Sequence, residues 1–139
     1  MGFLKKLLGD DDYPFLDDSN PVAGQVETLR QDLESLAERI QVPMEVVPAD
    51  GRALVFAGEP PKAFGIFMVD RGQVDNLKEL AENSGMSELE MIRLTDHLRK
   101  AYIDSEGDPR FSTDIANGKV TIMQSPGLIN EVKKIVLES

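Results

Sequence analysis

The sequence predicts an α+β domain: a mainly antiparallel sheet of about five strands, built as a three-stranded meander plus a C-terminal hairpin, with about four helices. Three observations carry that expectation. Apolar residues recur at helical spacing between residues 25 and 41, extended apolar runs flank Asp50-Gly51, and a second pair of runs flanks Asn117-Gly118. With 139 residues the chain suits one domain, and a core of that size needs neither disulfides nor a structural metal. The expected division is a flexible acidic arm over residues 1–20 and a single domain over residues 21–139.

The arm opens with Phe3, Leu4, Leu7 and Leu8 at helical spacing and runs into Asp10, Asp11, Asp12, Asp17 and Asp18. So short a helix is marginal in water. The four apolar residues are therefore candidate anchors to a groove or, transiently, to a membrane surface, and a frayed or core-docked terminus is the plainer reading.

From Gln25 to Gln41, Val26, Leu29, Leu33, Leu36 and Ile40 alternate steps of three and four. This is the seam of a heptad repeat, and it makes those five residues a candidate self-pairing surface. The plainer reading is an ordinary helix lying on its own core. Pro43 ends it. Asp50-Gly51 suits a tight hairpin turn that pairs Val47 with Leu54 and Val46 with Val55. After Glu59-Pro60-Pro61-Lys62, a stiff connection, the run from Ala63 to Val69 is apolar on both faces and predicts a buried central strand.

A helix is expected from Gln73 to Asn83 and a second from Ser87 onward. Ala81 permits close helix contact, Gly85 permits a left-handed turn residue, and Ser87 with Glu90 makes a capping box. Residues 77–98 thereby resemble the helix-turn-helix of transcription regulators. The resemblance implies a DNA-binding regulator, one alternative function. Base reading needs donors at the start of the second helix, and this chain has Glu88, Leu89 and Glu90 there. Between residues 77 and 100, five acids face four bases. Arg93, His97 and Lys100 share one face, a candidate anionic-ligand face whose plain reading is solvated surface. Leu89, Ile92 and Ile103 cluster away from the Met91, Leu94, Leu98, Tyr102 stripe, so something besides the core must cover them. The candidates are the preceding helix and a second protein chain.

In the last segment a two-residue Asn117-Gly118 turn would set Ile115 opposite Val120 and Thr113 opposite Ile122. Ser125 and Pro126 can begin a final helix with Leu128, Val132, Ile135 and Val136 as its apolar stripe.

Chemistry is sparse. The chain has no cysteine and one histidine, His97, which leaves no thiol nucleophile and no Cys- or His-rich metal site. It carries no phosphate-loop, dinucleotide or nucleophile-elbow motif. The run Asp104, Glu106, Asp108 departs from a calcium loop, because Pro109 and Ile115 stand where glycine and a bidentate glutamate are required. Asp70 is best placed to begin a turn or to cap the following helix. A net charge of -10 repels phosphate backbones and anionic membranes on average. The expectation is a non-enzymatic cytoplasmic protein-interaction or regulatory module that self-associates or binds a protein partner, with no catalytic residue, metal or cofactor. Nucleic acid is disfavoured as a partner. A small-ligand-binding protein or an enzyme of unfamiliar type is the remaining alternative.

Overall fold

The computed structural model describes residues 13–49, 51–116 and 118–137. Phe3, Leu4, Leu7, Leu8, Asp50 and Asn117 lie outside the described residues, as does the side chain of Val136. Among the described residues the chain forms four helices and a six-stranded mixed sheet.

Helix α1 (Pro21–Ile40) begins four residues before the expected start. The reason is local: the Asn20 side chain accepts the Val22 N–H at 2.9 Å, and Pro21 needs no intrahelical donor bond in the first turn. Strands β1 (Met44–Ala49) and β2 (Arg52–Glu59) pair antiparallel in the expected register, Val47 with Leu54 and Val46 with Val55. β3 (Ala63–Asp70) continues the meander.

The chain then departs from expectation. Gln73–Asn76 is not the start of a helix but a fourth strand, β4, paired back on β3. Asp70 does begin a turn, which passes through Arg71 and Gly72, both at positive φ (48° and 86°), and Asp32 of α1 accepts the Gly72 N–H at 2.9 Å. Asn76 then caps α2 (Leu77–Asn83) by accepting the Glu79 N–H, which fixes the helix start after β4. A two-residue turn with both φ positive favours Asn-Gly. Arg71→Asn would supply that pair at an exposed site, so we expect it to stabilise the fold by up to about 1 kcal/mol, because the left-handed backbone costs an ordinary side chain about 1 to 2 kcal/mol and asparagine less, read as a higher urea midpoint with an unchanged slope.

After α3 (Glu88–Asp104) come β5 (Arg110–Ile115) and β6 (Gly118–Met123). Their register differs from expectation by two residues: Ile115 pairs with Gly118 and Thr113 with Val120. The turn lies one residue earlier because Ala116 adopts a left-handed φ of 51°. An even slip leaves every side chain on its expected face, and Ile115, Val120 and Ile122 accordingly share one core cluster. Helix α4 (Pro126–Leu137) buries Leu128, Ile129 and Val132. Ser125 does not cap it through its side chain, since the hydroxyl donates to Asp108; its carbonyl accepts the Leu128 N–H at 3.0 Å.

The strand order is β4-β3-β2-β1-β6-β5, and β1 pairs with β6 in parallel, Glu45 with Thr121 and Val46 with Ile122. The expected mainly antiparallel sheet holds, since four of the five pairings are antiparallel, but it has six strands rather than about five and is mixed through the β1–β6 pair. The central strands are β2 and β1, not β3: every residue from Ala53 to Ala57 is buried. Sequence periodicity marks β3 as apolar on both faces but cannot place it next to a further strand.

Helices cover both faces of the sheet. On one, Val26, Leu29, Leu33 and Leu36 of α1 pack against Val46, Val55, Val69 and Ile122, with Ile40 at the margin. The self-pairing surface expected on this helix is thus corrected: the chain's own sheet occupies the seam. On the other face Ala81, Leu94, Leu98, Leu128 and Val132 pack against Leu54, Phe56, Ile66 and Met123.

The second part of the expected arm also belongs to the domain. Leu16 is buried in the α1 cluster, its N–H donates to Ser112 O at 2.8 Å, and Ser112 N–H donates to Pro14 O at 2.9 Å. The segment shields the outer edge of β5, an edge that would otherwise invite pairing with another chain.

Candidate functional site

Helix α3 is where the sequence and the fold leave something unaccounted for. Gly85 turns the chain at φ 91°, and the capping box forms in full: Glu90 N–H donates to Ser87 Oγ and Ser87 N–H to Glu90 Oε1, each at 3.2 Å. These bonds hold the Glu90 carboxyl below its usual range. They also place Glu88 and Glu90 at the positive end of the helix dipole. Good for the helix, this arrangement sets negative charge where a recognition helix would meet phosphates.

One face of α3 is core. Leu94, Leu98, Ala101 and Tyr102 are buried, and Met91 packs beside them. The other apolar set stays in solvent, with Leu89 57% exposed, Ile92 59% and Ile103 44%. Of the two expected covers, α2 does not provide one. It docks instead along β3 and β4 through Leu77 and Ala81, and Lys78 Nζ bonds Phe64 O at 2.7 Å while lying 4.5 Å over the Phe64 ring. Burial and the nearby Arg99 push the Lys78 ammonium down from its usual pKa.

Between the exposed apolar residues sits a charge pair. Arg99 Nη1 bonds Asp96 Oδ1 at 2.6 Å, while Arg99 Nε reaches Pro61 O at 2.7 Å. The guanidinium thereby fastens the β2–β3 loop to the helix. Arg93, His97 and Lys100 are all exposed on the adjoining flank. They form a solvated basic strip.

Beneath the C-terminal half of α3 lies a polar cluster that periodicity did not reveal. Tyr102 Oη donates to Glu45 Oε1 at 2.7 Å, and Arg110 Nε lies 4.0 Å from the same oxygen. The Arg110 side chain is 7% exposed and sits 5.7 Å from the Tyr102 ring. Its Nη1 donates to Glu106 O at 2.9 Å, whereas Nε and Nη2 are buried without a hydrogen-bond partner among the described residues. Burial first, and the Glu45 carboxylate second, push the Tyr102 hydroxyl well above the usual tyrosine pKa. The cluster ties β1, α3 and β5 together. A charged residue at the start of a predicted strand, Arg110, was the available signal.

No family model, curated protein or solved structure matches the chain. Function therefore rests on the site itself.

The described clefts are open and shallow. One of about 360 Å³, lined by Asp104, Ser105, Asp108, Ser125 and Glu131, is acidic, and the Asp108 carboxylate in it is held by the Ser125 hydroxyl. Among the described residues no three acidic or histidine side chains converge as a metal site, and no helix is long and apolar enough to cross a membrane.

Proposed function

We propose that this protein is a non-enzymatic interaction module whose binding surface is the solvent-facing side of α3. One observation carries the reading: three large aliphatic side chains, Leu89, Ile92 and Ile103, remain exposed on one face of a helix whose opposite face is already committed to the core. Full burial of an exposed aliphatic side chain is worth about 1.5 to 3 kcal/mol, and because these three are already about half covered, a partner gains about half of that from each. Contiguous exposed apolar surface marks protein contacts, and Leu89 and Ile92, one helical turn apart, supply the start of such a surface. The acidic N-terminus of α3 argues against the DNA-binding alternative.

Substitution separates binding from folding. Leu89→Asp and Ile92→Asp are expected to weaken association while the purified chain keeps its circular dichroism and a stability within about 0.5 kcal/mol of the parent, as surface substitutions do. Association is read by native mass spectrometry. Loss of the folded state in both variants would instead make these residues part of the core and remove the reading.

A further inference from the structure

We infer that the occupant of the α3 face is a second copy of this chain, its α3 lying antiparallel to the first across a two-fold axis. The inference rests on the reading of α3 as a binding surface and adds the partner and the register. Leu89, Ile92, Asp96, Arg99 and Ile103 follow one another by steps of three, four, three and four, the spacing of a heptad seam. On a wheel of about 100° per residue, Ile92, Asp96, Arg99 and Ile103 fall within about 60° of one another. The seam is apolar towards both ends and charged in the middle.

The pattern of Ile92, Asp96, Arg99 and Ile103 is complementary to itself when reversed, with Leu89 lying outside these four at the helix start. In an antiparallel pair of identical helices, residues equidistant from the axis face each other. Ile92 and Ile103 are centred on the same point as Asp96 and Arg99, midway between His97 and Leu98. With the axis there, each Ile92 meets the other copy's Ile103, and each Asp96 meets the other copy's Arg99. No charge is left opposite a like charge. In a parallel pair Asp96 would face Asp96 and Arg99 would face Arg99, so the same residues oppose that arrangement. Arg99 retains donors for a second carboxylate, since its bonds to Asp96, Pro61 and Lys62 employ three of its five N–H groups. The side-chain exposures of 62% for Asp96 and 35% for Arg99 keep the pair accessible.

A contact along one helix pair that overlaps for about 20 Å belongs to the small, reversible class of interfaces, below roughly 1,200 Å². Association should therefore be measured at high protein concentration.

The absence of cysteine in the chain makes cross-linking the direct test. Ile92→Cys and Ile103→Cys are purified separately, then oxidised alone and as an equal mixture of full chains. The mixture should form disulfide dimers and each variant alone should form few, because identical positions lie eleven residues apart along the pair, about 16 Å. Sedimentation equilibrium of the parent should show a dimer, weakened about tenfold or more by Ile92→Asp. Efficient cross-linking of either variant with itself would overturn the register. A parent that stays monomeric at high concentration, with no cross-link in the mixture, would overturn the inference altogether. Retention of a different protein from a cell extract by the parent and not by Ile92→Asp would then leave the α3 face a binding surface with another occupant. Retention of nothing by a monomeric parent would remove both.

Discussion

Leu33→Ala should destabilise the folded chain by about 3 to 5 kcal/mol, the range for removing a fully buried leucine from a close-packed site. Leu33 is 0% exposed and lies beneath α1 among Leu29, Leu36 and the facing residues of the sheet. The loss combines the transfer of the missing methyl and methylene groups with the unfilled space they leave. Against a typical total stability of about 5 to 15 kcal/mol, this is a large fraction. The shift in urea midpoint should be the same at low and high protein concentration. A seam that paired between chains would give a shift that shrinks on dilution, because association adds to the parent's stability by mass action only when the chains are concentrated. Concentration dependence is thus the measurement that would overturn the placement of α1 on its own sheet.

Glu45→Ala should cost about 2 to 3 kcal/mol at neutral pH. Removing the carboxylate takes the acceptor from Tyr102 and leaves the Arg110 charge buried without its counter-ion. The cost sits below that of a fully enclosed pair because the Glu45 side chain keeps 22% exposure. Glu45→Gln preserves an acceptor for the tyrosine and should recover part of the loss. A difference between the two variants isolates the charge. Tyr102 also gives an alkaline signature. Its hydroxyl is neutral in both folded and unfolded chains below the ordinary tyrosine pKa of 10.0, so the contribution is intact there. Above that value the unfolded chain releases a proton that the folded chain retains, and stability falls as pH rises. Tyr102→Phe should flatten that alkaline limb in urea titrations between pH 9 and pH 11, whereas an unchanged slope would place the hydroxyl in contact with solvent.

The candidate surface was legible before the fold in one respect. The spacing of Leu89, Ile92 and Ile103 separates them from the Met91, Leu94, Leu98, Tyr102 stripe, and periodicity alone shows that one core cannot cover both. It does not show which neighbour fails to cover them. That was decided when Gly72 and Arg71 turned the chain into β4, taking Gln73–Asn76 away from the helix and leaving α2 only seven residues long. The docked segment at Tyr13–Leu16 was hidden for a similar reason. These four residues, set between Asp10–Asp12 and Asp17–Asp18 in an arm that reads as solvated by composition, are held by backbone bonds to Ser112 and by the one buried side chain of Leu16.

By itself the sequence determined the elements whose causes are local. The α1 heptad spacing, the β1–β2 register, the Ser87–Glu90 box and the inward face of the last hairpin all depend on residues a few positions apart, where steric and hydrogen-bond preferences act directly. Only the tertiary structure decided the parallel pairing of β1 with β6, the burial of the α1 seam, and the meeting of Glu45 with Tyr102 and Arg110. Those contacts join segments far apart in the chain. Their free energy depends on how whole faces fit after the sheet has closed, and no local pattern encodes that fit.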